Sequence, residues 1–200
     1  MTLLAKLYHF RYTYPENMVK HAVAVIFDFL QTIVLAAAMF VIIYLFVGQP
    51  HIVKGASMEP AFLNSDYILT EKVSYKFNQP ERGDIIVFEA PNRQNADYIK
   101  RVVGLPGETV MVKEGSVYVN GELLNESYEP NNTDPAQFLK EGKEIVVPED
   151  TYIVMGDNRP HSSDSREFGP VSIESIIGRA IIRYWPFGRI TQIARPLFEQ

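Results

Sequence analysis

Two hundred residues, 46% of them hydrophobic and 22% charged, are enough for one domain with a small appendage and exclude a disordered or fibrous chain. The net charge of −5 argues against nucleic acid as a partner, because such a face is as a rule strongly basic. There is no cysteine, which excludes disulfides, thiolate metal sites and cysteine nucleophiles together. The four histidines (His9, His21, His51 and His161) hold no pair at metal-ligand spacing, so hydrolytic chemistry falls to Ser, Lys, Asp or Glu.

The first predicted element is a membrane-spanning helix over 22–47, following a tail over 1–21. Ala22 to Val47 is interrupted only by Asp28, Gln31 and Thr32. From Phe29 to Val47 a helix would be about 28 Å long, close to the roughly 30 Å of a bilayer core. Gly48 and Pro50 are expected to stop it. Lys6, Arg11 and Lys20 precede the span against the single acid Glu16, so the positive-inside rule places the tail in the cytoplasm. The rest, 48–200, is then extracytoplasmic and carries −6 (16 Lys and Arg against 22 Asp and Glu). Ala36-Ala37-Ala38 imitates a leader-cleavage site, but a long apolar stretch follows it, so a retained anchor is expected.

Beyond the span the pattern is that of β structure. Strands are expected at Tyr67 to Leu69, Asp84 to Phe88 and Tyr98 to Val103, all rich in β-branched and aromatic residues. Val110 to Val112, the turn Glu114-Gly115, Val117 to Val119 and the turn Asn120-Gly121 read as consecutive hairpins. Ser127 to Gly142, polar and carrying Pro130 and Pro135, reads as an exposed loop. Later strands are expected at Ile145 to Val147, Tyr152 to Met155 and Gly178 to Trp185. Tyr184, Trp185 and Phe187 fit either a membrane-contacting cluster or burial beneath the sheet. The fold class is an all-β domain of antiparallel sheets with one amino-terminal transmembrane helix.

Four segments carry residues capable of chemistry: Gly55-Ala56-Ser57-Met58-Glu59-Pro60, Arg82-Gly83-Asp84, Lys100 to Gly107, and Gly156 to Arg166. A serine hydroxyl is a weak nucleophile until a base takes its proton. Lys100, in a strand with Tyr98, Ile99, Val102 and Val103, is one candidate base, since burial lowers a lysine pKa toward neutrality. His161 with Asp157 or Asp164 is the other, in a Ser–His–Asp arrangement. The residues alone leave both open.

In this order after one amino-terminal span, the four segments resemble the boxes of bacterial type I signal peptidases, membrane-anchored serine endopeptidases that remove signal peptides from exported preproteins. Ser57, Met58 and Pro60 match the first box, Arg82 to Asp84 the second, and Lys100, Arg101, Gly104, Pro106 and Gly107 the third. Gly156, Asp157, Asn158, Arg159, Ser162, Asp164, Ser165 and Arg166 match the fourth. The resemblance runs from about residue 22 to residue 187. The short third-to-fourth spacing resembles the compact single-span forms of Gram-positive bacteria.

The resemblance implies Ser57 as nucleophile, Lys100 as general base, and Ser162 as a hydroxyl bonded to the lysine amine. The Ser57 N–H would serve an oxyanion hole, worth about 3 kcal/mol of barrier. Relatives often add a serine hydroxyl two residues earlier, where this chain has Gly55; Ala61 and Glu108 are further departures, from Thr and Asp. Arg101, Asp157, Arg159, Asp164 and Arg166 are expected to hold the site together as a charged network. Met58 is expected to wall the pocket for a small substrate residue, with Ile99, Val53 and Gly55 lining neighbouring subsites. The resemblance further implies no metal or organic cofactor, cleavage after Ala-x-Ala, and signal peptides, membrane lipid and a nearby translocon as partners. A self-cleaving Ser–Lys protease of the repressor type and an inactive membrane-tethered binding module are the alternatives.

Overall fold

The computed structural model describes residues 16–91, 96–126, 128 and 132–194. The chain divides into two compact units at Leu45/Phe46. The tail expected over 1–21 lies outside the described residues as far as residue 15.

The amino-terminal element is one helix, α1, Glu16–Phe46. Its stretch Met18–Phe46 is long and apolar enough to cross a membrane, with a mean hydropathy of 2.4 and none of it buried. A helix hydrophobic all round and exposed all round is one that water does not solvate well. It starts earlier than the expected residue 22, and takes in Lys20 and His21. No helix breaker stands between Glu16 and Ala22, so the backbone continues past the apolar boundary.

The second unit consists of two antiparallel sheets. The larger contains β1 (Gly48–Ile52), β2 (Tyr67–Glu71), β3 (Ile85–Glu89), β4 (Asp97–Gly104), β9 (Thr151–Met155), β10 (Val171–Ser172) and β11 (Ile176–Trp185), in the order β1-β2-β11-β3-β4-β9-β10. A short β12 (Thr191–Gln192) pairs with β11. The smaller sheet has β5 (Thr109–Lys113), β6 (Ser116–Val119), β7 (Glu122–Leu123) and β8 (Ile145–Val146), in the order β7-β6-β5-β8. One short helix, α2 (Ser165–Phe168), is capped by the Asp164 carboxylate, which accepts from the Arg166 N–H. The fold class read from the residues is the observed one.

Both hairpin turns of the smaller sheet place their two central residues at positive φ, Glu114 and Gly115 at 51° and 76°, Asn120 and Gly121 at 53° and 80°. This is the primed turn that matches the twist of the flanking strands. β1 was not expected, because Gly48 and Pro50 were read only as helix stops. They also open an edge strand, where a proline without an N–H is tolerated.

Three apolar clusters form the core among the described residues, one of them around Ile86, Phe88, Val102, Tyr152 and Val154. Val103 of β4 and Ile153 and Met155 of β9 meet Val110, Val112, Val117 and Val119 of the small sheet. Leu139, fully buried, completes that cluster. The expected exposed loop over 127–142 is therefore corrected: Leu139 and Thr133 are both buried, and Phe138 and Leu139 donate their N–H groups to the Arg166 carbonyl. Part of that segment, 127 and 129–131, lies outside the described residues. Val53, Met58, Phe62, Ile68, Ile85 and Val87 make a second cluster, beneath β1 and β3. Burial beneath the sheet is not what happens to Trp185 and Phe187, which are 43% and 73% exposed with ring centroids 4.5 Å apart.

Candidate active site

The large sheet curls enough that β1 and β4, separated in the ladder by three strands, face one another across a cleft of about 280 Å³. β1 pairs only with β2, and Asp97 to Lys100 pair only with β3, because β9 joins β4 from Arg101 onward. Both strands thus present a free backbone edge to the cleft among the described residues. Val53 and Ile99 lie along it, over Ile68 and Val87, and Ser57 with Lys100 closes one end.

Ser57 lies in the turn five residues beyond the end of β1, and Lys100 is held in β4 opposite Ile86. Lys100 Nζ lies 2.9 Å from Ser57 Oγ and donates a second bond, 3.0 Å, to the Ile99 carbonyl. The lysine is 4% exposed. Burial pushes its pKa down to about 8, against the opposing pull of the Asp164 and Asp157 carboxylates, with Arg166 lowering it further. At pH 7 about one amine in ten is then neutral, against roughly one in three thousand at the ordinary value.

His161 is exposed, and its Nδ1 meets Asn158 Oδ1 at 3.1 Å. Asp157 and Asp164 are both occupied by arginines. Arg101 grips Asp157 through two bonds, Nε to Oδ1 at 2.8 Å and Nη2 to Oδ2 at 2.6 Å. Arg166 does the same to Asp164, at 2.8 and 2.9 Å. Neither carboxylate orients the imidazole, so the Ser–His–Asp arrangement lacks its third member. The Ser–Lys pair is in place.

The paired charges are fully enclosed and each has further work. Arg101 also donates to the Gly83 carbonyl at 3.1 Å, and the Tyr128 ring covers its guanidinium at 4.2 Å. Arg159 is bonded to the Gly156 carbonyl at 3.0 Å, to Thr133 Oγ1 at 2.5 Å and to the Glu126 carboxylate. Arg166 donates to the Arg159 carbonyl at 2.6 Å and Asp164 accepts from the Gly156 N–H at 3.1 Å. This locks the segment 156–166. Asn158 then carries the lock to the nucleophile, its N–H reaching the Ser57 carbonyl at 3.1 Å and its side-chain amide the Ala56 carbonyl at 3.1 Å. Gly156 makes that approach possible: a Cβ there would sit 2.4 Å from the Ser57 carbonyl oxygen and 2.3 Å from Ser162 Oγ.

The description "signal peptidase, peptidase S26" belongs to the family that matches residues 26–185. The chain belongs to that family. It is 42% identical over 174 residues to the signal peptidase I of Leptolyngbya laminosa, covering 84% of this chain and 83% of that one. To a probable signal peptidase I-2 of Synechocystis it is 41% identical over 166 residues (80% and 73%). To the signal peptidase IB of Staphylococcus aureus it is 34% identical over 185 residues (84% and 96%). A crystal structure of a signal peptidase I from Enterococcus faecalis aligns at 36% identity over 51% of this chain and 97% of that one, with a TM-score of 0.44.

Two expected roles differ from the observed positions. Ser162 Oγ is brought beside the Ser57 backbone but is buried with no hydrogen-bond partner among the described residues, and Lys100 takes the Ile99 carbonyl in its place. Met58 is 1% exposed in the core with Phe62 and Ile68 and does not line the cleft. Its side chain packs inward, in the cluster with Val53, Phe62 and Ile68. Gly55, by contrast, lines the cleft at φ +88°, a left-handed conformation costly to serine, and donates its N–H to Asn64 Oδ1 at 2.9 Å. Sequence reasoning missed Asn158, Glu126, Thr133 and Tyr128 as supports. Only Asn158 lay inside a recognised segment.

Proposed function

We propose that this chain removes signal peptides from exported preproteins, with Ser57 as nucleophile and Lys100 as general base. The observation that carries the reading is the 2.9 Å approach of a buried amine, with its pKa near 8, to a serine hydroxyl at the end of an open-edged cleft. Neutral Lys100 takes the Ser57 proton as Oγ attacks the scissile carbonyl, and the ammonium then protonates the leaving amine. A water, deprotonated by the same amine, releases the acyl group. The Ser57 N–H faces the developing oxyanion. Arg101, Asp157, Arg159, Asp164 and Arg166 position the pair and touch no reacting atom, and Ser162 packs beside it.

The substrate enters as an added strand between the free edges of β1 and β4, its backbone bonded on both sides. Val53, Ile99 and Gly55 contact its side chains, and the confined floor favours small residues in an Ala-x-Ala pattern. Residues 22–47 span the cytoplasmic membrane with 1–21 inside and 48–200 outside, in keeping with the basic amino-terminal flank. Trp185, Phe187 and Ile190, all exposed, suit contact with lipid. Anchorage on the surface that carries the exported chains, near the translocon, raises the effective substrate concentration. The test is processing of a purified preprotein in detergent. Ser57→Ala and Lys100→Ala should each abolish it, and substantial cleavage by either would overturn the pair.

A further inference from the structure

The cleft does not end where the apolar floor ends. Beyond Val53 and Ile99, away from Ser57, it is lined by His51 and Asp97, with His51 Nε2 3.7 Å from Asp97 Oδ2. His51 Nδ1 is fixed by Thr70 Oγ1 at 3.0 Å, which turns Nε2 toward Asp97. The His51 side chain is 13% exposed and the Asp97 side chain 41%. An apolar floor beside the chemistry therefore gives way to a polar pair whose carboxylate is open to the cleft.

The register says which substrate residue meets it. His51 lies two residues before Val53, and Asp97 two before Ile99, one strand repeat of about 7 Å in each case. Both β1 and β4 run toward the Ser57–Lys100 end, so a peptide whose scissile bond sits at Ser57 runs parallel to both, with its upstream residues over Val53 and then His51. A strand has the same repeat as its neighbours. If the third residue before the scissile bond rests on Val53 and Ile99, the fifth rests on His51 and Asp97.

Charge sets the preference. Burial holds the His51 imidazole below its ordinary pKa, with Lys72 acting in the same sense and Asp97 against it, so at neutral pH the imidazole adds little positive charge beside the Asp97 carboxylate. The two lysines of the lining stand toward the other end, Lys54 next to Gly55 and Lys100 beside Ser57. We infer that His51 and Asp97 form a polar subsite that selects a basic side chain at the fifth residue before the scissile bond. This rests on the signal-peptidase reading above and adds a specificity determinant to it.

The experiment compares two preprotein-derived peptides, identical except for Lys or Glu at that fifth position, cleaved by the full-length protein in detergent at pH 7.5 or about that. Attraction of one and repulsion of the other across a half-exposed pair predict a kcat/KM ratio of about three- to ten-fold in favour of Lys. The ratio should fall to about one in Asp97→Asn and reverse in Asp97→Lys, and because it is a ratio any general change in activity cancels. A ratio near one in the unaltered enzyme, or one indifferent to both substitutions, overturns the subsite while leaving the function standing. Cleavage of neither peptide overturns the function and the subsite with it.

Discussion

Replacing Lys100 by Met should inactivate the protein and make it more stable. The lysine is 4% exposed, and its pKa is held near 8, down from 10.5. That difference corresponds to about 3 kcal/mol at 1.36 kcal/mol per unit of pKa. The sign follows from where the protons are. The unfolded chain keeps the lysine proton up to pH 10.5, whereas the folded chain releases it near 8. Stability due to this group therefore rises between those limits and is lowest below pH 8. Methionine keeps the length and removes the charge, so at pH 7 the variant should gain about 2–3 kcal/mol after loss of the bond to Ser57. In a unit of this size that is about 6–10 °C in Tm. Thermal unfolding in detergent at pH 7 and at pH 10.5 measures it, and the gap should close at the higher pH. Equal stability at pH 7, or a gap unchanged by pH, would refute the claim that burial holds the amine near neutrality.

Three further outcomes follow from the packing. Asp157→Asn strands the Arg101 guanidinium without its carboxylate in a closed site and should cost about 3–5 kcal/mol, read as a lower denaturant midpoint at unchanged slope. Leu139→Ala should cost about 3 kcal/mol, since the side chain fills the core between the two sheets; a loss under about 0.5 kcal/mol would return 127–142 to the status of surface loop. Gly156→Ala sets a methyl against the Ser57 carbonyl, and should reduce kcat at least ten-fold with KM little changed, as displacement of the nucleophile requires.

How much of this was legible beforehand depends on the range of the interactions involved. The hairpins at Glu114-Gly115 and Asn120-Gly121 are local, and their turn residues announce them. β1 was hidden because Gly48 and Pro50 serve two purposes, ending a helix and opening an edge strand. Leu139 was hidden because one apolar residue in a polar, proline-bearing stretch leaves no periodicity, and its burial depends on the Arg166 carbonyl bonded to Phe138 and Leu139. The partnership of Ser57 with Lys100, 43 residues apart, was reached through resemblance, while burial and geometry separate it from the histidine alternative. Met58 was misplaced because a motif gives residue types, not which way each side chain turns. Pairing of β11 with both β2 and β3 spans about a hundred residues of sequence and has no local signal.

The pH dependence of kcat/KM for preprotein processing tests the central claim most directly. With Lys100 as base, the rate should climb ten-fold per pH unit at low pH, bend near 8 and then hold level, and His161→Ala should leave the bend in place. A bend that His161→Ala removes would contradict the account and give the proton to histidine.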